Sequence, residues 1–367
     1  NKSVNEKKIK NFDKIKIKKI EIETHKYRKW VENNINIITS NSRFISDEFK
    51  RKFNSTILIT FEDDSKCFLS GRMRQSGDAK DHIALKGNSI IQSLDIHLTN
   101  GNIRGITKFK LFKPDTRGVL EDVVIQTELL RQLNYLAPRS MKVQARINET
   151  ESIMLFQEKA AKELLEFNKR REGPILEGDQ KFFFKLVESI PQNQLSNWSV
   201  QTPLLRNKSI KTMLAKQTNT NLIHRSGYHK NISYKSLNDL NLIYLYYSNR
   251  FKDEKNDYYF FDYDLDNTLL GFFDKEKIKK LDMYNLLMQS TNSQHALSAS
   301  NRKFYWNSIE NYFEPINYDA NPDISRENPT TTTTKHRLPI SKEYLESFES
   351  LKKLINSIDF NVFHENI

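Results

Sequence analysis

The chain has 367 residues, 37% of them hydrophobic and 28% charged, with a formal net charge of +12. The low apolar content is offset by 11% aromatic residues, which excludes a disordered chain. A single cysteine, Cys67, excludes a disulfide framework and a cysteine-based zinc site. The length suits one large two-lobed domain or two ordinary ones, and the basic balance favours anionic partners.

Residues 1–50 read as a basic extension, dense in lysine with interleaved isoleucine, that ends in a short strand or helix. The first residue is Asn and not Met, which is consistent with a leader or further domain ahead of it. From about residue 55 the pattern turns to short strands: "STILITFED", "KCFLSGRMRQ", "SLDIHLTN" and "ITKFKLFK" alternate apolar and polar positions. "RGVLEDVVIQTELLRQLNYLAPRS" then has helical period and stops before Pro138. Two strands, "MKVQARIN" and "SIMLFQEK", and the helix "AAKELLEFNKRRE" follow. Residues 180–300 read as mostly helical, 300–320 as a strand pair, and 341–358 as an amphipathic helix. No stretch of 18 apolar residues suggests a membrane span, which leaves a cytoplasmic or a cell-surface location open.

The order predicts an α+β, protein-kinase-like two-lobed fold: a basic extension at 1–50, a small β-rich N-lobe at 51–165, and a larger helical C-lobe at 166–367 with a helical tail. Phosphoryl transfer needs a strand lysine for phosphates, a helix carboxylate to aim it, and oxygen ligands for a metal. Lys108 and Lys110 share one side of their strand, and Lys110 is the preferred phosphate-holding residue. Glu121 and Glu128 share a helix face with Val124 and Ile125, so either can orient that lysine. Gln157, Glu158 and Lys159 fall at the hinge, where backbone groups could meet an adenine edge. Asn301 and Asp319 are 319 − 301 = 18 apart, at the outer ends of two strands joined by a turn. An amide oxygen and a carboxylate there suit Mg²⁺ or Mn²⁺.

These segments, in this order, resemble the CotH-type spore-coat kinases, an atypical kinase family. "GRMRQSGDAKDHI" looks like their arginine-rich strand and polar loop, "FKLFKPDTRG" like the next unit, and "NRKFY…FEPINYD" like the asparagine-led strand pair that ends in the metal-binding aspartate. The resemblance covers residues 65–325 in pieces. It implies ATP-dependent transfer to a protein hydroxyl. Asn301 and Asp319 become metal ligands, Lys110 a phosphate contact with Lys80 as rival, Arg74 part of the nucleotide site, Glu121 or Glu128 the orienting acid, and Gln157 and Glu158 residues near the nucleotide. One position departs from kinases: Ala296 stands five before Asn301, where a catalytic aspartate is expected, beside His295. His295 is then the candidate base, or a structural histidine. A non-catalytic nucleotide-binding pseudokinase or scaffold is the alternative. Another is a glycosyltransferase that uses Asp264 and Asp266 of "DYDLDN". Helical periodicity through Tyr258, Phe261, Leu265, Leu269 and Phe272 favours a helix there. Nucleic acid is the less favoured partner.

Overall fold

The computed structural model describes residues 16–42, 44–87, 89–181, 185, 213–250, 265–325 and 342–367. The chain divides into two compact units: one runs to Thr116 and resumes over Arg139–Lys159, and the other comprises Arg117–Pro138 and the chain from Ala160 onward.

The first unit is a closed barrel of seven strands: β1 (Ile17–Thr24), β2 (Phe53–Phe61), β3 (Lys66–Gln75), β6 (Leu94–Leu98), β7 (Lys108–Phe112), β8 (Ser140–Ile147) and β9 (Thr150–Glu158). Their spatial order is β1-β2-β3-β6-β7-β9-β8. Neighbours are antiparallel except at the closure, where β1 runs parallel to β8 with Ile20 opposite Ala145. A separate hairpin of β4 (Ile83–Lys86) and β5 (Ser89–Gln92) lies between β3 and β6 in sequence. Alternation fills the interior: Ile20, Ile22, Ile57, Ile59, Met73, Ile96, Phe109, Phe156 and Val143 point inward. Gly71 allows close approach there, since a side-chain carbon would come 2.9 Å from Ile57 and 3.0 Å from the His97 carbonyl oxygen. Helix α1 (Tyr27–Thr39) follows β1, and Trp30 packs edge-on against Phe53 at 5.1 Å.

This corrects the kinase-like expectation. The β-rich part is not the small N-lobe sheet of a kinase-like fold but a barrel, because β1 pairs with both β2 and β8 and leaves no edge. The helix after β7, α2 (Leu120–Gln132), belongs to the second unit.

The second unit holds a four-stranded sheet of order β11-β10-β12-β13, with β10 Ile175–Gly178, β11 Ala215–Gln217, β12 Lys303–Asn307 and β13 Tyr312–Ile316. Both β12 and β13 are buried along their length. Its helices are α2, α3 (Lys162–Phe167), α4 (Gly227–Arg250), α5 (Asn267–Leu270), α6 (Lys275–Ser290), α7 (Lys342–Asn356) and α8 (Phe360–Asn366). Leu130 of α2, Tyr284, Leu287 and Met288 of α6, and Leu351 of α7 share one apolar core. No helix among the described residues is long and apolar enough to cross a membrane.

The first half of the eye-catching "DYDLDN", Asp262 and Asp264 included, lies outside the described residues. Asp266 is described, and it caps α5 by accepting from the Thr268 amide at 2.8 Å. Among the described residues of that stretch, Asn267–Leu270 is helical.

Candidate functional site

Two polar clusters gather the residues singled out above, one in each unit.

In the barrel, strand register lays side chains in a row. Arg74 is opposite Asp95, Asp95 opposite Lys110, Lys110 opposite Gln157, and Gln157 opposite Ser140. Their sequence neighbours Leu94, Ile96, Phe109, Leu111 and Phe156 face the barrel core, so the row lies on the outer face. Asp95 is the hub. Arg74 donates to its Oδ2 through Nε at 3.1 Å and Nη2 at 2.9 Å, and Lys159 Nζ lies 2.9 Å from both oxygens. Burial alone would push the Asp95 carboxyl up, but Lys159, Lys110 and Arg74 together hold it below the ordinary range. Lys159 is lowered, first by burial and then, against the pull of Asp95, by Lys110 and Arg74. Asp78, bound to Lys50 at 2.5 Å, adds a weaker negative field at Lys110. Gln157 donates to Ser140 Oγ at 3.3 Å.

Lys80, the rival phosphate ligand, is not in this row. Its ammonium donates to the Ile38 and Ser40 carbonyls at the C-terminus of α1, a cationic cap. Glu158 is 3% exposed and forms a bidentate pair with Arg139, 2.9 Å from Nε and 2.7 Å from Nη2. Glu128 accepts from Arg131, Gln132 and Asn366 within the second unit. Burial raises its carboxyl, and these partners, Arg131 foremost, bring it below the usual range. Glu121 is exposed in the first turn of α2.

In the second unit, the β12–β13 hairpin brings Asn301 and Asp319 to one end, as their spacing implied. They meet around His295. His295 Nδ1 lies 2.7 Å from the Asp319 carbonyl oxygen; a carbonyl only accepts, so Nδ1 carries the hydrogen. Nε2 is then the basic nitrogen, and Asn301 Nδ2 lies 3.3 Å from Nδ1 and 3.2 Å from Nε2 and donates to the His295 carbonyl oxygen at 3.2 Å. The Asp319 carboxylate is 3.6 Å from Nδ1, placed to stabilise an imidazolium. Asp319 sits at φ 54°, a left-handed conformation that Asp tolerates better than most residues.

Arg117 completes this end. Its guanidinium, 9% exposed, forms an ion pair with the Asp319 carboxylate. Gly118 explains the approach: at φ 75° a side-chain carbon would come 2.9 Å from the Pro322 carbonyl oxygen, so only glycine lets the two loops close. Tyr318 lies under Arg117 at 5.6 Å and under Lys303 at 4.0 Å. Burial opposes the charge on Lys303, yet Glu177 at 2.5 Å holds its ammonium above the ordinary lysine range. Lys216 bridges Glu177 at 3.5 Å and Asp179 at 3.1 Å.

The donor set suits a divalent cation poorly. A hard cation wants several oxygen ligands, carboxylates among them. Here Asp319 is neutralised by Arg117, the Asn301 oxygen accepts from Gln180 at 3.4 Å, and His295 Nδ1 is used on a carbonyl. No group of three His, Cys, Asp or Glu placed to hold a metal occurs among the described residues. As arranged, the residues do not fit Mg²⁺ or Mn²⁺.

Sequence reasoning missed Arg117, Asp95, Lys303 and Glu177, and took Lys159 for its backbone alone. Lys303 carried a signal, a lysine in the otherwise apolar run "KFYW". Arg117 carried none. No protein-family model matches the chain, and no curated protein sequence matches it.

Proposed function

We propose that this protein binds a phosphorylated ligand, a nucleoside triphosphate such as ATP in the first instance, on the outer row of the barrel. We read it as a nucleotide-binding scaffold that does not depend on a divalent metal. The observation that carries this is the convergence of Arg74, Lys110 and Lys159 on the single carboxylate of Asp95. Asp95 holds Arg74 and Lys159 in place, while 37% and 31% of their side chains reach solvent, where phosphate oxygens can take charge-assisted hydrogen bonds.

Thermal unfolding with and without ATP, in Mg²⁺ and in EDTA, tests the reading. ATP is expected to raise Tm equally in both, and Lys110→Met with Lys159→Met to reduce the shift. Absence of any ATP shift, or a shift that requires Mg²⁺, overturns it.

A second reading, ATP-dependent transfer to a protein hydroxyl, is favoured by one observation: His295 Nδ1 is bonded to the Asp319 carbonyl oxygen, the tautomer that leaves Nε2 basic. In that reading His295 accepts the hydroxyl proton and Asp319 stabilises the imidazolium. Incubation with labelled ATP and protein acceptors separates the two: label transferred by the wild type and lost in His295→Gln supports the second.

A further inference from the structure

The barrel unit also carries a cavity of about 470 Å³, lined by one face of α1 from its start to Asn36, by Phe49, and by Arg51, Lys52, Phe53 and Asn54 at the start of β2. This is within the usual size range of small-molecule sites, roughly 300–1,000 Å³. Four of its lining residues, Lys26, Lys29, Arg51 and Lys52, are full cations, His25 adds a fifth basic group, and Glu32 is the one acid. Nothing among the described residues neutralises the four: none is in an ion pair, and Arg51 donates only to the Glu48 carbonyl oxygen, at 2.9 Å. Four cations on the wall of one cavity with a single acid repel one another, and a bound anion relieves that.

The backbone points the same way. Helix α1 has no side-chain cap at Lys26 and no acidic residue in its first turn. Its second and third residues are Arg28 and Lys29, although the N-terminus of a helix disfavours cations. A 13-residue helix thus begins at the cavity with its amide donors uncapped and positive charge added to them. Phe49 and Phe53 supply an apolar wall.

We propose that this cavity is a second, separate binding site for a small polyanion bearing an oligophosphate, seated among Lys26, Lys29, Arg51 and Lys52. A concave pocket with two aromatic rings favours a small molecule over a nucleic-acid strand. The site shares no residue with the Asp95 row, so it stands or falls apart from the function proposed above.

The test is isothermal titration of the full chain with inorganic triphosphate. Lys29→Glu with Lys52→Glu reverses two exposed charges, and circular dichroism checks that the fold is kept. Each lost charge-assisted contact costs about tenfold, so the pair is expected to weaken this site by about a hundredfold or more and to lower the stoichiometry by one. Lys110→Met with Lys159→Met is the separating arm, and the cavity site is expected to survive in it. The inference is overturned if triphosphate binding is unchanged in Lys29→Glu with Lys52→Glu. It is overturned too if all triphosphate binding disappears in Lys110→Met with Lys159→Met. A short single-stranded oligonucleotide that binds far more tightly than triphosphate through Lys29 and Lys52 also overturns it, in favour of a nucleic-acid groove.

Discussion

The barrel row and the hairpin end solve the same electrostatic problem in opposite ways. Both set one carboxylate against cations. In the barrel, sheet register builds the cluster: Arg74, Asp95 and Lys110 are cross-strand neighbours, and two of the cations keep about a third of their side chains in water. In the second unit, loops build it: Asp319 adopts a left-handed backbone, Gly118 lets the chains close, and Arg117 is buried. A row of the first kind can exchange partners with a ligand at small cost. A buried pair of the second kind cannot, because separating it strands a charge away from water.

The largest expected effect breaks the buried pair. Asp319→Asn keeps a residue that tolerates positive φ but leaves Arg117 without its carboxylate, and should cost about 3 kcal/mol of stability in urea unfolding. Arg117→Met with Asp319→Asn should recover much of that loss; a double-mutant cycle without coupling would show that the pair is not the lock described. Next comes Asp95→Asn, with a cost of about 1.5 kcal/mol, less because Arg74 and Lys159 stay hydrated. The same change should strengthen triphosphate binding, since it removes a negative charge from among three cations. Weaker binding would mean that Asp95 matters more for placing the cations than for offsetting them.

The pH dependence sharpens the contrast further. Asp95 and Glu128 have folded-state pKa values below the ordinary carboxylate values of about 4, so each adds stability at neutral pH that is lost as the pH falls below about 4. Urea midpoints measured from pH 6 to pH 3 should drop steeply in the wild type and less in Asp95→Asn. Lys159 has the same sign at the alkaline end: its folded-state value is lowered, so the cost of its charge is relieved and stability rises as pH climbs through that value. The smallest effect is His295→Gln. The imidazole is 40% exposed, so the change should cost under about 1 kcal/mol in thermal unfolding, and a larger loss would assign His295 a structural role.

Most strands were legible because their alternation is clean. β2 buries Phe53, Ser55, Ile57, Ile59 and Phe61, every second residue as written. The Asn301 and Asp319 ends of the second-unit hairpin were legible for the same reason. β1 was not recognised as a barrel strand, for a physical cause. Its register shifts between Ile17 and Lys19, so buried Ile17 and Ile20 have the wrong parity for a plain strand, and lysines hide the rest. The closure was invisible as well, because it depends on a parallel pairing between distant segments. Arg117 was missed because its importance arises from a turn conformation at Gly118 and a loop far along the chain.

The closure also sets an order of events during synthesis. Lys19 pairs with Gln144, so β1 waits for 144 − 19 = 125 further residues before its second edge is covered. On the way, the chain leaves the barrel at Arg117 and returns at Arg139, and that excursion carries α2, whose Leu130 packs with Tyr284, Leu287 and Met288. The barrel can therefore finish on the ribosome while α2 still shows its apolar side, more than a hundred residues ahead of its partners. A nascent chain stalled near residue 200 should present that side to chaperones, and the full-length protein should not.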